Sequence, residues 1–252
     1  MSDPAMRVLA AFLSCAVAGA AAAADIRVLS AVALEPGLVK VAEQFKRETN
    51  NRVRIQFFAA SPQLERRLSV GEPADVLVAP SGLMNDQLRR GKVDAEAHSF
   101  IGRVGIGVTV RAGAPDPDIA SLDRFKQSLL GADSIVYNHA STGLYLEKLF
   151  DLLGIAEQLK TKTVRYLSSA QVLEHIIGGK GVEIGFGTIT EIRQFESKGL
   201  KLVGPLPEQV QNSTAYSAAV ITEAPEAEVA KDFVRYIDTP AAKAFFSAAG
   251  IE

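Results

Sequence analysis

Residues 26–80 hold two consecutive strand–loop–helix units, and this repetition limits the possible folds more than any other feature of the chain. The segment reads IRVLSAVALEPGLVKVAEQFKRETNNRVRIQFFAASPQLERRLSVGEPADVLVAP. Each strand closes in small residues, Ser30-Ala31-Val32-Ala33 and Ala59-Ala60-Ser61, and a helical pattern follows at once. In open α/β sheets, ligands sit where the carboxyl ends of strands meet the amino ends of helices. Free backbone N–H groups and the positive end of the helix dipole make that place suitable for anions. The opening of the fold therefore predicts an α/β architecture that holds something small and negatively charged.

The preceding segment reads MSDPAMRVLAAFLSCAVAGAAAAAD. Arg7 leads an uncharged run from Val8 to Ala24, and Ala22-Ala23-Ala24 meets the small-residue rule for cleavage before Asp25. Residues 1–24 are expected to be a secretory signal peptide. A membrane span needs roughly 20 strongly apolar residues, and this run is shorter and Ala-rich. Cys15 is the single cysteine, and Phe12 stands where a lipoprotein signal would carry Leu, so no lipid anchor is expected. The exported chain then has neither a disulfide nor thiol chemistry available.

Residues 25–252 can build one large domain or two lobes. A formal net charge of −2 gives no general attraction to nucleic acid, so no nucleic-acid partner is expected. There is no H-E-x-x-H, no G-x-S-x-G and no metal-ligand cluster, so no catalytic residue, cofactor or metal is expected. Gly178-Gly179-Lys180-Gly181 lacks the P-loop spacing and reads as a turn.

Val- and Ile-rich runs alternate with helix-period segments along most of the chain. Leu38, Val41, Ala42 and Phe45 share one face of a helix over 36–49. Ser61 before Pro62 predicts a helix N-cap with proline in the first position. Ser121 and Ser168 mark further helix starts. Two long β segments, 101–111 and 214–221, bracket a middle region with its own βαβ units. The chain is expected to leave a first lobe, build a second and return, giving lobe one as 25–103 plus 214–252 and lobe two as 104–213; one continuous sheet is the alternative. Closure about a hinge follows from two crossings beside a cleft.

Several blocks in this order resemble the periplasmic substrate-binding proteins of ABC importers, in particular the molybdate-binding branch. They are Ser30-Ala-Val-Ala-Leu34, Val41-Ala-Glu-Gln-Phe-Lys46, Phe58-Ala-Ala-Ser61, Gly71-Glu-Pro-Ala-Asp-Val-Leu-Val78, Ser141-Thr-Gly-Leu-Tyr145 and Ser197-Lys-Gly-Leu-Lys201. The tail Asp238-Thr-Pro-Ala-Ala-Lys-Ala-Phe-Phe-Ser-Ala-Ala-Gly-Ile251 also fits. The resemblance implies two Rossmann-like α/β lobes joined by two crossing strands, the type II periplasmic binding fold. It implies a periplasmic, monomeric protein that captures a small anion and delivers it to an ABC permease in the inner membrane.

The resemblance also implies a ligand site made of hydroxyls and backbone N–H groups. Ala33 stands where the branch carries Ser, and Ser61 matches its second Ser. Ser141 and Thr142 lie at the lobe-two helix start, Ala170 occupies a further N–H position, and Thr188 replaces a Tyr. A hydrogen bond to a charged group contributes about 1.5–3 kcal/mol, so losing two hydroxyls would weaken oxyanion binding roughly a hundredfold to ten-thousandfold. Tyr137-Asn138-His139 ends a strand just before the Ser141 helix, and His139 is expected to face the cleft and add a donor. A small organic carboxylate then joins a molybdate-like oxyanion as an expected ligand class. Glu191 is expected in the first turn of a helix, where the dipole favours it. His98 and His175 are expected on the surface or on a helix face. An enzyme on the same scaffold, such as a deaminase or lyase using His139 with Glu191, is the alternative; an exported sensor domain is a third.

Overall fold

A computed structural model describes residues 23–59 and 61–252 of the chain. The expected leader lies outside the described residues up to position 22, Cys15 included. The described residues form β1 (Asp25–Ala31), α1 (Glu35–Thr49), β2 (Arg52–Phe58), α2 (Ser61–Ser69), β3 (Val76–Pro80), α3 (Ser81–Arg89) and β4 (Val93–Arg111). They continue with α4 (Leu122–Gly131), β5 (Ser134–Asn138), α5 (Ser141–Leu152), α6 (Ala156–Leu159), β6 (Thr163–Tyr166), α7 (Ser169–Gly178) and β7 (Glu183–Thr188). The last elements are α8 (Ile189–Phe195), β8 (Leu200–Pro205), β9 (Ser213–Ile221), α9 (Ala227–Ile237) and α10 (Pro240–Ala248).

β2, β1 and β3 run parallel in that spatial order, with Ile26 opposite Val53 and Val28 opposite Val76. β9 joins β3 antiparallel, and β4 pairs β9 antiparallel. The far half of β4 pairs β7 through 106–109 and β8 through 107–111, and β5 and β6 follow in parallel beyond β7. The result is two α/β lobes joined by two crossing strands, β4 and β9.

Side-chain alternation divides the packing. In β5, Ile135 and Tyr137 join one core cluster and Val136 joins the cluster on the opposite face, as a period of two requires. Along β4 the change of core falls between Val104, which packs with Phe45, Leu77 and Phe233, and Ile106, which packs with Phe125 and Phe186. Leu38, Val41, Ala42 and Phe45 of α1 are all buried, and Phe45 meets Phe233 of α9 edge-on at 5.2 Å.

Two elements escape a periodicity reading. β4 starts at Val93, well before the expected 101, because Asp94–Ala97 stand opposite Val220 alone and bulge out of the ladder between the Val93–Ile221 and His98–Ala219 pairs. Their mixed polar sequence reflects that they pack on no regular face. The four-residue α6 is too short to show a helical period.

Asp75, the acid of the Gly-Glu-Pro-Ala-Asp block, fastens the chain's return to its beginning. It is buried, at 1% exposure. Its Oδ2 accepts from the Arg27 N–H at 2.7 Å and its Oδ1 from the Glu226 N–H at 2.8 Å. Its own N–H donates to the Arg27 carbonyl, and its carbonyl accepts from Ile221 N–H at 2.9 Å. One residue thus joins β1 and the start of α9 through its side chain and the end of β9 through its backbone. A buried carboxylate that accepts two N–H groups is strongly tied, since each charged hydrogen bond contributes about 1.5–3 kcal/mol. Asp75→Ala is expected to cost about 3 kcal/mol or more and to lower Tm by roughly 6–12 °C, which a calorimetric scan measures.

Candidate functional site

Six helices start at the carboxyl ends of strands, three in each lobe, and their first turns form the candidate ligand-facing surface. In lobe one, a 3-10 turn at Val32–Leu34 leads from β1 into α1, and neither it nor α1 has a side-chain cap. Ala33 is buried against the lobe-one core and brings no hydroxyl, so only its backbone is available there. Ser30 is fully buried and donates to the Ala31 carbonyl at 3.1 Å. Ser61 is the first residue of α2 rather than the residue before it, and is half-buried. α3 begins after Pro80 without a side-chain cap.

In lobe two, Asn138 organises two helix starts, a role the sequence reading did not give it. Its Oδ1 accepts from the N–H groups of Ala140 at 3.0 Å and Gly143 at 3.2 Å. Its Nδ2 donates to Ser169 Oγ at 3.0 Å, so the α5 and α7 amino ends are held at a set distance by one buried side chain. Gly143 is required here because a Cβ would lie 1.7 Å from the Asn138 carbonyl oxygen. With Gly143 capped by Asn138, the N–H groups of Ser141 and Thr142 have no acceptor among the described residues. Thr142 is buried and Ser141 exposed. At α7, Ser168 and Gln171 form a reciprocal capping box at 3.3 Å, which leaves the Ala170 N–H at the exposed first turn.

The α8 start is differently arranged. Thr188 is its N-cap: Thr188 Oγ1 accepts from the Glu191 N–H at 3.3 Å and donates to Glu191 Oε2 at 2.7 Å. Thr190 Oγ1 lies 3.1 Å from the same hydroxyl. α8 packs against the Val32–Leu34 turn of lobe one, and Arg193 Nη1 donates to the Ala248 carbonyl at 3.0 Å, so this corner lies between the lobes. Tyr216, on the crossing strand β9, completes it. Burial, and next the Glu191 charge, push the Tyr216 hydroxyl up to about 12, against an opposing effect of the Thr214 hydroxyl. Tyr216 was missed because its strand pairing with Pro80 of β3 and Gly102 of β4, not any motif, brings it to the interlobe floor.

His139 is exposed, with its N–H donating to the Tyr166 carbonyl at 2.8 Å. No hydrogen bond or ion pair among the described residues joins His139 to Glu191, whose carboxylate is engaged by Thr188. His98 is exposed on β4. His175 is half-buried in α7, with Nδ1 at 2.8 Å from the Tyr166 hydroxyl and Nε2 at 3.3 Å from Glu183. A cavity of about 1080 Å³ opens elsewhere, between the Asp94–Ile101 stretch of β4 and helices α9 and α10, and none of the cleft residues lines it.

The chain belongs to the family of bacterial extracellular solute-binding proteins, whose model matches residues 26–252. An aconitate isomerase from Pseudomonas sp is 27% identical over 220 residues, covering 84% of this chain and 81% of that protein. The molybdate-binding protein ModA of Escherichia coli (strain K12) is 29% identical over 251 residues, covering 95% of this chain and 94% of that protein. Among solved structures, the Azotobacter vinelandii periplasmic molybdate-binding protein superposes with a TM-score of 0.70 at 20% identity, covering 90% of this chain and 98% of that one. The family, the molybdate-binding-like kinship and the two-lobe fold agree with the sequence expectation, and the ABC substrate-binding role follows from the family.

Two measurements check the site's construction. Asn138→Ala leaves two N–H groups without their cap and is expected to destabilise the fold by about 1–3 kcal/mol, read by urea titration. Tyr216 keeps its proton in the folded chain between about pH 10 and about pH 12, while the unfolded chain loses it. Stability therefore falls as pH rises through that window, by about 3 kcal/mol at about 1.4 kcal/mol per unit. In Tyr216→Phe this fall is expected to be absent from the difference between urea titrations at the two ends of the window.

Proposed function

We propose that this chain captures a small organic anion between its lobes, 25–103 with 214–252 and 104–213, and delivers it to an ABC permease. On this reading it is exported, cleaved after Ala24, monomeric and not a catalyst. The carrying observation is the set of helix amino ends with open first-turn N–H groups at strand carboxyl ends beside the cleft: α1 and α3 have no side-chain cap, and the Asn138 cap of α5 leaves the Ser141 and Thr142 N–H groups without an acceptor among the described residues. Unsatisfied first-turn N–H groups and the dipole bind a carboxylate without a cationic side chain. Ser61, Ser141 and the N–H groups of Ala33, Thr142 and Ala170 are its proposed contacts, with His139 at the rim. A carboxylate is favoured over molybdate because Ala33 supplies no hydroxyl and the Thr188 hydroxyl is spent on Glu191.

A second reading is an isomerase on the same scaffold, favoured by the similarity to the aconitate isomerase and by a carboxylate, Glu191, at the interlobe corner. Calorimetric titration with molybdate, sulfate, citrate and cis- and trans-aconitate, together with a turnover assay on the acids, separates the two. Stoichiometric binding of an organic acid with no product supports capture and transport; steady interconversion of the aconitates overturns it. Strong binding of molybdate alone overturns the organic-anion assignment. For the bound acid, Ser61→Ala is expected to weaken affinity roughly tenfold to 150-fold.

A further inference from the structure

Protons at the α8 corner can be counted. The Thr188 hydroxyl carries one, and an ionised carboxylate accepts only, so the 2.7 Å contact to Glu191 Oε2 takes it. At 3.1 Å, Thr190 then donates to Thr188 Oγ1, since the proton of Thr188 is already committed. The Glu191 N–H, a donor that a helix start normally offers to an anion, is consumed by the same Thr188 oxygen at 3.3 Å. Three donors are thereby satisfied internally, and Glu191 Oε1 accepts from no group among the described residues. Glu191 is half-buried, and its charge reaches Tyr216 on the crossing strand. α1 also carries an acid, Glu35, in its first turn, but among the described residues Glu191 alone is hydrogen-bonded to an N-cap hydroxyl beside the cleft, so at this point an acceptor stands where a free donor would be.

We infer that Glu191 is a specificity-determining acceptor: the ligand is an anion that also carries its own hydroxyl or ammonium donor, and a hydroxy carboxylate fits best. The carboxylate groups of such a ligand meet the N–H groups of α1, α5 and α7, while its hydroxyl donates to Glu191 Oε1. An acid of the same skeleton without the hydroxyl would leave a desolvated carboxylate unpaired on closure, and that penalty discriminates against it. A fully deprotonated tetrahedral oxyanion would meet charge repulsion at the same place. This inference rests on the capture of an organic anion proposed above and names the class of that anion.

Matched pairs of acids test it: malate against succinate and citrate against tricarballylate, titrated calorimetrically into the wild-type chain and into Glu191→Gln. The wild type is expected to prefer the hydroxy member of a pair by at least about tenfold. In Glu191→Gln the preference is expected to shrink to within about threefold, chiefly because the hydroxyl-free acid and sulfate bind more tightly once the charge is gone. A melting scan of the variant shows that it is folded, and the wild-type preference is a test that needs no variant. Equal wild-type affinity within each pair, or a Glu191→Gln change that weakens both members alike, overturns the inference while leaving anion capture intact. Wild-type binding of none of the four acids overturns the capture reading, and the inference falls with it.

Discussion

The buried carboxylate of Asp75 is the interaction on which this architecture depends. A lobe assembled from two distant stretches of chain must recover the entropy of closing a long loop, and loose packing alone does not specify where the returning strand stops. Asp75 sets that point by accepting from Arg27 at the start of the fold and from Glu226 after the return. The antiparallel β9 is thereby locked beside β3, with Leu77 opposite Ala219. Since β9 is also one of the two crossings, the register that Asp75 enforces carries into the cleft floor, where Tyr216 lies.

The cleft itself has its character from helix starts rather than from charged side chains. Asn138 shows how economical this is: one amide caps α5, leaves two of its N–H groups open and fixes α7 beside it. A donor array of backbone groups is pre-organised by the helices and needs no counter-charge to be desolvated when the lobes close. That arrangement suits transport, where a ligand must be enclosed and later released. The α8 corner departs from it, because the Thr188–Glu191 pair turns a helix start into an acceptor.

Proteins named for molybdate binding and for aconitate isomerisation are 29% and 27% identical to this chain. The scaffold fixes where a ligand lies, and a handful of first-turn side chains decide what it is. Ala33 brings no hydroxyl, and the Thr188 hydroxyl is engaged by Glu191, so neither offers a free hydroxyl donor at its helix start. His139 sits at the expected strand end, is exposed, and makes no hydrogen bond or ion pair to Glu191 among the described residues.

Much of the fold is legible in the residues because buried parallel strands and amphipathic helices carry strong local signals. The face of α1 formed by Leu38, Val41, Ala42 and Phe45, the buried Val76–Pro80 strand, and the caps at Ser121 and Ser168 all follow from nearest-neighbour chemistry. The early part of β4 does not, because Asp94–Ala97 bulge from the ladder and lose the alternation that marks a strand. The site residues divide in the same way. Ser61, Thr142 and Thr188 could be placed at helix starts from the sequence, and the structure has them there. Tyr216 and the donor accounting around Glu191 could not, since they come from a returning strand and from which single proton each hydroxyl gives away. By itself the sequence determined the order of the helices and strands, apart from the early part of β4 and the short α6, for these are set by local periodicity and by turn chemistry. Only the tertiary structure decided the polarity of the cleft corner, because hydrogen-bond direction depends on which groups meet in space.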